Sequence, residues 1–158
     1  MENILKFITS FILVAVTAAL SSYLSYLGID TFYGNLALPP LNPPNEIFKF
    51  VWPVLYVLMI VSFYMVLLKE NNSRAVMLFV YQLLLHILWC YLFFAKGLFM
   101  FGFLDIVLLD LTVIVMIGAF RDLSPWAGYL QYPYLLWLLF ATYLNAGIWY
   151  LNGAKAVL

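Results

Sequence analysis

Three apolar stretches of the chain carry polar and aromatic side chains at helical spacing. Residues three, four, seven or eleven positions apart share one face of a helix. The three stripes are Trp52, Tyr56, Met59 and Phe63; Gln82, His86, Trp89 and Phe93; and Trp137, Ala141, Leu144, Asn145, Ile148 and Asn152. They predict an aromatic pocket with a few hydrogen-bonding groups, which suits a flat, apolar ligand with a polar edge. Helix packing, an interfacial aromatic belt and interhelical hydrogen bonds are the alternative interpretation.

The spacing of the acidic residues argues against acid–base catalysis and metal binding. Asp105 and Asp110 point about 140° apart on a helix, so they do not form the carboxylate pair of a glycosidase or protease. One histidine, His86, with two divergent carboxylates makes a weak metal site. The single cysteine, Cys90, excludes an intramolecular disulfide or a multi-cysteine metal site. We therefore predict no catalytic residue, no metal site and no required cofactor.

The elements that must position these residues are five uncharged runs. The chain is 67% hydrophobic and 9% charged, and its mean hydropathy is +1.05. A helix needs about 20 residues to cross a hydrocarbon core of about 30 Å, and its backbone must satisfy its own hydrogen bonds there. The prediction is an all-α integral membrane protein, in which residues 1–158 form one domain with a five-transmembrane-helix bundle. The expected spans are 5–27, 47–68, 75–95, 98–120 and 130–152.

The first span and the charge balance leave some questions open. Lys6, the apolar run after it and the small residues near Ser21 also fit a secretory signal, but the run continues to Leu27 and favours a span. Small residues four apart, such as Ala15 and Ala19, permit close helix approach, either within the chain or in a homodimer. The formal net charge is zero, which argues against a nucleic-acid partner. The small Lys/Arg bias fixes neither the orientation nor the membrane of residence.

The connection between the first two spans is unusual. Residues 28–45 read GIDTFYGNLALPPLNPPN and contain four prolines, which make the segment stiff and non-helical. It contains more aromatic and leucine side chains than a solvated loop would need. We expect an ordered Pro-rich lid over one mouth of the bundle. A loop resting in the headgroup region is the alternative.

Three stretches resemble a known family when read in order. They are residues 32–56 (FYGNLALPPLNPPNEIFKFVWPVLY), 81–94 (YQLLLHILWCYLFF) and 133–152 (PYLLWLLFATYLNAGIWYLN). They are similar to the translocator protein family, also called tryptophan-rich sensory proteins or peripheral-type benzodiazepine receptors. The resemblance implies a five-helix bundle whose first loop closes over a pocket. It also implies a membrane receptor, sensor or carrier for porphyrins such as protoporphyrin IX, other haem-pathway tetrapyrroles, benzodiazepine-site ligands or, in animal members, cholesterol.

The resemblance also implies the binding residues and two rival functions. One rival is light-dependent porphyrin breakdown, with Trp52 and Trp137 as candidates, and the other is a porphyrin or sterol transporter. The positions that match the family's pocket are Tyr33, Pro43, Pro44, Trp52, Tyr56, Gln82, His86, Trp89, Cys90, Trp137, Ala141, Leu144 and Asn145.

Several positions depart from the family pattern. Leu38 and Tyr150 stand where the family commonly has Lys and Arg, and Phe32 stands where it often has Trp. We expect weaker binding of anionic ligands, because two candidate partners for porphyrin propionates are lost. His86, where Asn is common, is a candidate replacement donor or axial haem ligand. Near the C-terminus, Leu144, Tyr150 and Lys155 fit a permissive pattern proposed for cholesterol.

Overall fold

A computed structural model describes residues 1–31 and 33–153, with side chains for all of these except residues 30 and 31. Phe32 and Lys155, which the sequence comparison singled out, lie outside the described residues. The helices are α1 (Glu2–Thr31), α2 (Asn45–Leu67), α3 (Ser73–Cys90), α4 (Phe99–Leu123), α5 (Pro125–Tyr129) and α6 (Tyr132–Asn152). A π-helical turn, Tyr91–Ala95, continues α3, and a 3₁₀ turn covers Tyr33–Asn35.

Five helical segments are long and apolar enough to cross a membrane. They are Glu2–Ile29, Asn45–Leu67, Ser73–Ala95, Phe99–Leu123 and Pro125–Asn152. The predicted all-α architecture with five spans is therefore confirmed. The last segment contains α5 and α6, which are separated by a turn at residues 130–131. Pro133 stands in the first turn of α6, where its missing N–H costs no intrahelical hydrogen bond.

Two helices extend beyond the spans predicted for them. The first span was predicted as 5–27, but α1 runs from Glu2 to Thr31. Its polar start is stabilised by the ion pair of Glu2 and Lys6 at 2.6 Å. The fourth span was predicted to end at residue 120, but α4 continues to Leu123. It stops before Ser124, whose backbone is extended. Pro125 follows Ser124, and the ring of a proline disfavours the helical conformation in the residue before it.

The end of the bundle away from the lid is tightly packed. Phe63 of α2 stacks on Phe79 of α3 with ring centroids 3.9 Å apart, and Phe79 lies 6.0 Å from Phe120 of α4. α1 joins this region through Ser10, whose hydroxyl donates to the carbonyl of Ile60 at 2.7 Å. We call this region the packed half. Its other buried members include Val14, Leu55, Met59, Val66, Leu83, Val113, Met116 and Leu138.

The predicted lid is ordered and is attached to α6. It was expected to begin at residue 28, but α1 extends to Thr31, so the described lid comprises residues 33–44. The side-chain amide of Asn152 donates to the carbonyl of Ala37 at 2.9 Å and accepts from its N–H at 3.0 Å. The hydroxyl of Tyr143 donates to the carbonyl of Pro40 at 2.8 Å. These bonds hold the lid over the end of the bundle where α2 begins and α6 ends.

Candidate ligand-binding cavity

A cavity of about 850 Å³ lies between α1, α2, α3, α6 and the lid. Its size falls in the range of about 300–1,000 Å³ that is typical of small-molecule sites. Most of its wall is apolar. The lining residues are Ala18, Ala19, Ser21, Ser22, Ser25, Tyr26, Ile29, Tyr33, Asn45, Phe48, Lys49, Trp52, Pro53, Tyr56, His86, Trp89, Cys90, Phe94, Trp137 and Ala141.

Trp52 is at the centre of the aromatic part of the wall. Its ring stacks on Tyr56 at 5.6 Å and meets His86 edge-on at 4.9 Å. It also meets Trp137 of α6 at 6.5 Å with an interplanar angle of 89°. Trp89 lies one turn along α3, with its ring 6.1 Å from His86. These contacts bring the predicted stripes of α2, α3 and α6 together on one surface.

Several polar atoms in this wall have no protein partner. His86 is 2% exposed, and its Nε2 lies 3.2 Å from the hydroxyl oxygen of Tyr56. Nδ1 of His86 and the indole nitrogens of Trp89 and Trp137 are buried and unpartnered within the described part of the chain. Leaving a buried polar group unpaired costs about 1–3 kcal/mol. Such groups on a cavity wall are typical of a site that a ligand completes.

The wall formed by α1 was not anticipated from the sequence. Its small residues were interpreted as surfaces for close helix packing, but Ala18, Ser21, Ser22 and Ser25 line the cavity instead. The close approach occurs one turn later at Gly28, where an added Cβ would lie 2.1 Å from the carbonyl oxygen of Phe94. Small side chains on α1 therefore create space. The predicted homodimer stays a prediction.

The cavity is open on one side and closed by the lid at its end. Ser22, Tyr26 and Ile29 line it and are also exposed, so the opening lies along α1. Tyr33 of the lid packs on Phe94 with ring centroids 5.8 Å apart. Burial raises the pKa of the Tyr33 hydroxyl above its ordinary value, so this group is a neutral hydrogen-bond donor at physiological pH.

Most of the predicted binding residues lie on this wall, and some do not. Those on the wall are Tyr33, Trp52, Tyr56, His86, Trp89, Cys90, Trp137 and Ala141. Pro43 and Pro44 instead lead the chain into α2, where Pro44 is the N-terminal capping residue. Gln82 lies deeper in the bundle and accepts a hydrogen bond from the hydroxyl of Tyr134 at 2.9 Å. Leu144 and Asn145 are buried further along α6 and do not reach the cavity.

The two intramembrane aspartates lie outside the cavity. Asp110 accepts a hydrogen bond from the hydroxyl of Thr142 at 2.7 Å, which joins α4 to α6. Asp105 is buried, and its Oδ2 has no partner among the described residues. No cluster of three or more metal-ligating side chains occurs in the described structure. Asp110 therefore contributes to the contact between α4 and α6.

Comparison with known proteins identifies the family of the chain. Residues 10–151 match the TspO/MBR family. This range includes all or most of every helix that lines the cavity. The chain belongs to this family. It is 36% identical over 153 residues to the tryptophan-rich protein TspO of Archaeoglobus fulgidus, which covers 96% of this chain and 99% of that protein.

Relatives in other organisms have related names. The tryptophan-rich sensory protein of Cereibacter sphaeroides is 34% identical, over 73% of each chain. The translocator protein of Ovis aries is 35% identical, over 78% of this chain and 76% of its own. TspO/MBR membership and the five apolar helices show that this is an integral, multi-pass membrane protein.

Proposed function

We propose that this TspO/MBR protein is a membrane receptor, sensor or carrier that binds porphyrins, such as protoporphyrin IX, or related flat hydrophobic ligands. The observation that carries the proposal is the cavity of about 850 Å³ with Trp52, Trp89, Trp137 and His86 on its wall. Its size, its aromatic rings and its unpartnered nitrogens together match a large planar ligand with a polar edge.

The arrangement of the rings favours a flat ligand over a flexible chain. Trp52 meets His86 and Trp137 at interplanar angles of 70° and 89°, so the rings present faces and edges in different directions. Aromatic pairs are most stable when offset-stacked or edge-to-face. A rigid macrocycle satisfies several such contacts at once and loses little conformational entropy on binding.

The lid gives the site a way to retain its ligand. Its attachments to Asn152 and Tyr143 are three exposed hydrogen bonds, one from the N–H of Ala37 and two to the carbonyls of Ala37 and Pro40. Exposed bonds of this kind are individually weak and open on a short timescale. Such a lid is compatible with a receptor and with a carrier, so the lid itself does not distinguish them.

The test is a titration with protoporphyrin IX, following tryptophan fluorescence of the detergent-purified protein in the dark. We expect saturable quenching that is weakened about tenfold or more in the double variant Trp52→Phe/Trp137→Phe, since anchoring aromatic residues dominate binding energy. The matched control is Trp126→Phe, because Trp126 is 69% exposed and does not line the cavity. Equal affinity in the double variant and the control would place the ligand elsewhere.

A second measurement separates a carrier from a receptor. Vesicles that contain the protein are loaded with protoporphyrin IX, and its release is followed with and without an external acceptor. Release that depends on the protein and is slowed by the double variant indicates a carrier. Saturable binding without protein-dependent release indicates a receptor or sensor.

A further inference from the structure

One cation lies on the cavity wall, at the end where α2 begins. Lys49 lines the cavity together with Asn45 and Phe48. Among the described lining residues, it is the one that carries a formal charge at pH 7 if His86 is neutral. Lys49 precedes Trp52 by three residues and Tyr56 by seven, so it shares their face of the helix.

Among the described residues, no side chain pairs with Lys49, which leaves it available to a ligand. In the described structure it makes no ion pair, since the ion pair found there joins Lys6 to Glu2. The acidic residue nearest to it in sequence is Glu46, which is exposed and does not line the cavity. An unpaired ammonium group beside an apolar cavity attracts an anionic group.

The start of α2 adds to this positive character. Pro44 caps the helix but provides no side-chain hydrogen bond to its first turn. The N-terminus of a helix carries a partial positive charge and unpaired N–H groups. Asn45, the first residue of α2, lines the cavity, so this helix end and Lys49 act on the same edge.

We propose that Lys49, supported by the N-terminus of α2, recognises a carboxylate on the ligand, so that the cavity prefers flat hydrophobic acids over their neutral esters. The inference rests on the proposed function, because it assumes that a planar ligand occupies the cavity. It also changes an expectation from the sequence. Leu38 and Tyr150 replace the cations of the family pattern, and Lys49 supplies a positive charge from a different element.

The test compares protoporphyrin IX with its dimethyl ester, which lacks both negative charges, in a neutral detergent. For the unchanged protein we expect tighter binding of the acid than of the ester. Lys49 is exposed at the cavity edge, so in Lys49→Gln the affinity for the acid falls about two- to fivefold, as for an exposed charge pair, and the affinity for the ester is unchanged. Lys49→Arg, which keeps the charge, retains most of the preference.

The control is Lys96→Gln. Lys96 lies at the lid end of the molecule over the ring of Tyr91 at 5.6 Å and does not line the cavity. Equal affinity for the acid in Lys49→Gln and Lys96→Gln would overturn the inference, as would equal losses for acid and ester. Competition by added phosphatidylglycerol that disappears in Lys49→Gln would assign Lys49 to a lipid headgroup instead. If neither porphyrin binds saturably to the unchanged protein, the proposed function itself fails.

Discussion

The two ends of the bundle contain similar aromatic residues but pack them differently. In the packed half, Phe63 and Phe79 lie parallel, with an interplanar angle of 11° and ring centroids 3.9 Å apart. In the lid half, which contains the cavity, Trp52 and Trp137 meet at 89° and 6.5 Å. The stacked phenylalanines fill the core of the packed half, whereas the two tryptophans line the cavity.

The difference originates on α1. Toward the packed half this helix presents Val14, which is fully buried. One, two and three turns later it presents Ala18, Ser21 and Ser25, which line the cavity. A helix face that changes from a branched to a small side chain leaves a gap that its neighbours cannot fill, because helix backbones stay about 8–10 Å apart. Small residues on α1 therefore leave the space for the cavity, and large aromatic residues on α2, α3 and α6 provide its binding surface.

The largest effect is expected where the packing is tightest. We predict that Phe79→Ala lowers the free energy of unfolding by about 3–5 kcal/mol, the usual cost of removing a buried phenyl ring. Equilibrium unfolding in detergent measures this. Phe101→Ala is the control, because Phe101 is 51% exposed and is expected to face lipid. A loss no larger than that of Phe101→Ala would show that this half is not the main source of stability.

In the lid half, we expect a substitution to change ligand binding more than the free energy of unfolding. Ala141 is 6% exposed and lines the cavity, so a larger side chain there has space to enter. We predict that Ala141→Leu weakens protoporphyrin IX binding about 10- to 100-fold by occupying the site, while the free energy of unfolding stays the same or rises. Fluorescence titration and unfolding measure the two quantities. Ala146→Leu, on the same helix but away from the cavity, should bind normally.

Ala141→Leu also has an outcome that would contradict the comparison of the two halves. A loss of stability as large as that of Phe79→Ala would mean that the lid half is as closely packed as the other half. Normal porphyrin binding to Ala141→Leu would show that the ligand does not use this part of the cavity.

The sequence predicted the architecture well because membrane spans are encoded in composition. Five long apolar runs become five helical spans, since a helix is the structure in which a single segment satisfies its own backbone hydrogen bonds in lipid. It also predicted which faces of α2 and α3 converge, since Trp52, Tyr56, His86 and Trp89 recur at helical spacing and meet in the structure. Hydrophobic lid residues similarly indicated an ordered loop.

Helical spacing does not specify depth or partner, which explains the remaining differences. Gln82 shares a face with His86, but it lies one turn deeper and pairs with Tyr134. The serines of α1 are compatible with either close packing or a void, and the choice depends on neighbouring helices. Lys49 had a usable signal, its position three residues before Trp52, but charge at a span end is usually explained by the membrane interface.

A smaller effect on stability is expected at the contact between α1 and the π-helical turn. A Cβ at Gly28 would lie 2.1 Å from the Phe94 carbonyl oxygen, which is backbone and cannot move aside easily. We predict that Gly28→Ala lowers the free energy of unfolding by about 1–3 kcal/mol, as for other overpacked sites. It should also weaken porphyrin binding, since Phe94 lines the cavity.

The matched control for Gly28 is Gly34→Ala in the lid. Among the described residues other than Gly34 and its two chain neighbours, no atom lies within 4 Å of the position of its added Cβ. We therefore expect a change within about 0.5 kcal/mol, as for ordinary surface substitutions. Similar effects of the two substitutions would show that the close approach of α1 to Phe94 does not limit stability.

The smallest effect is expected from loosening the lid. Tyr143→Phe removes the hydroxyl that donates to the Pro40 carbonyl at 2.8 Å, and one hydrogen bond is worth about 0.5–1.5 kcal/mol. We predict that protoporphyrin IX dissociates about two- to tenfold faster, which corresponds to that energy, with little change in the free energy of unfolding. Stopped-flow displacement in detergent measures the rate.

Tyr150→Phe is the control for this rate, because Tyr150 lies on the same helix and is 87% exposed. A faster rate in Tyr143→Phe alone would show that closure of the lid limits release, and that the lid half retains its ligand by a few weak bonds rather than by close packing. Equal rates in the two variants would mean that the ligand leaves by another path. The opening along α1, where Ser22 and Tyr26 are exposed at the edge of the cavity, would then be the route to test.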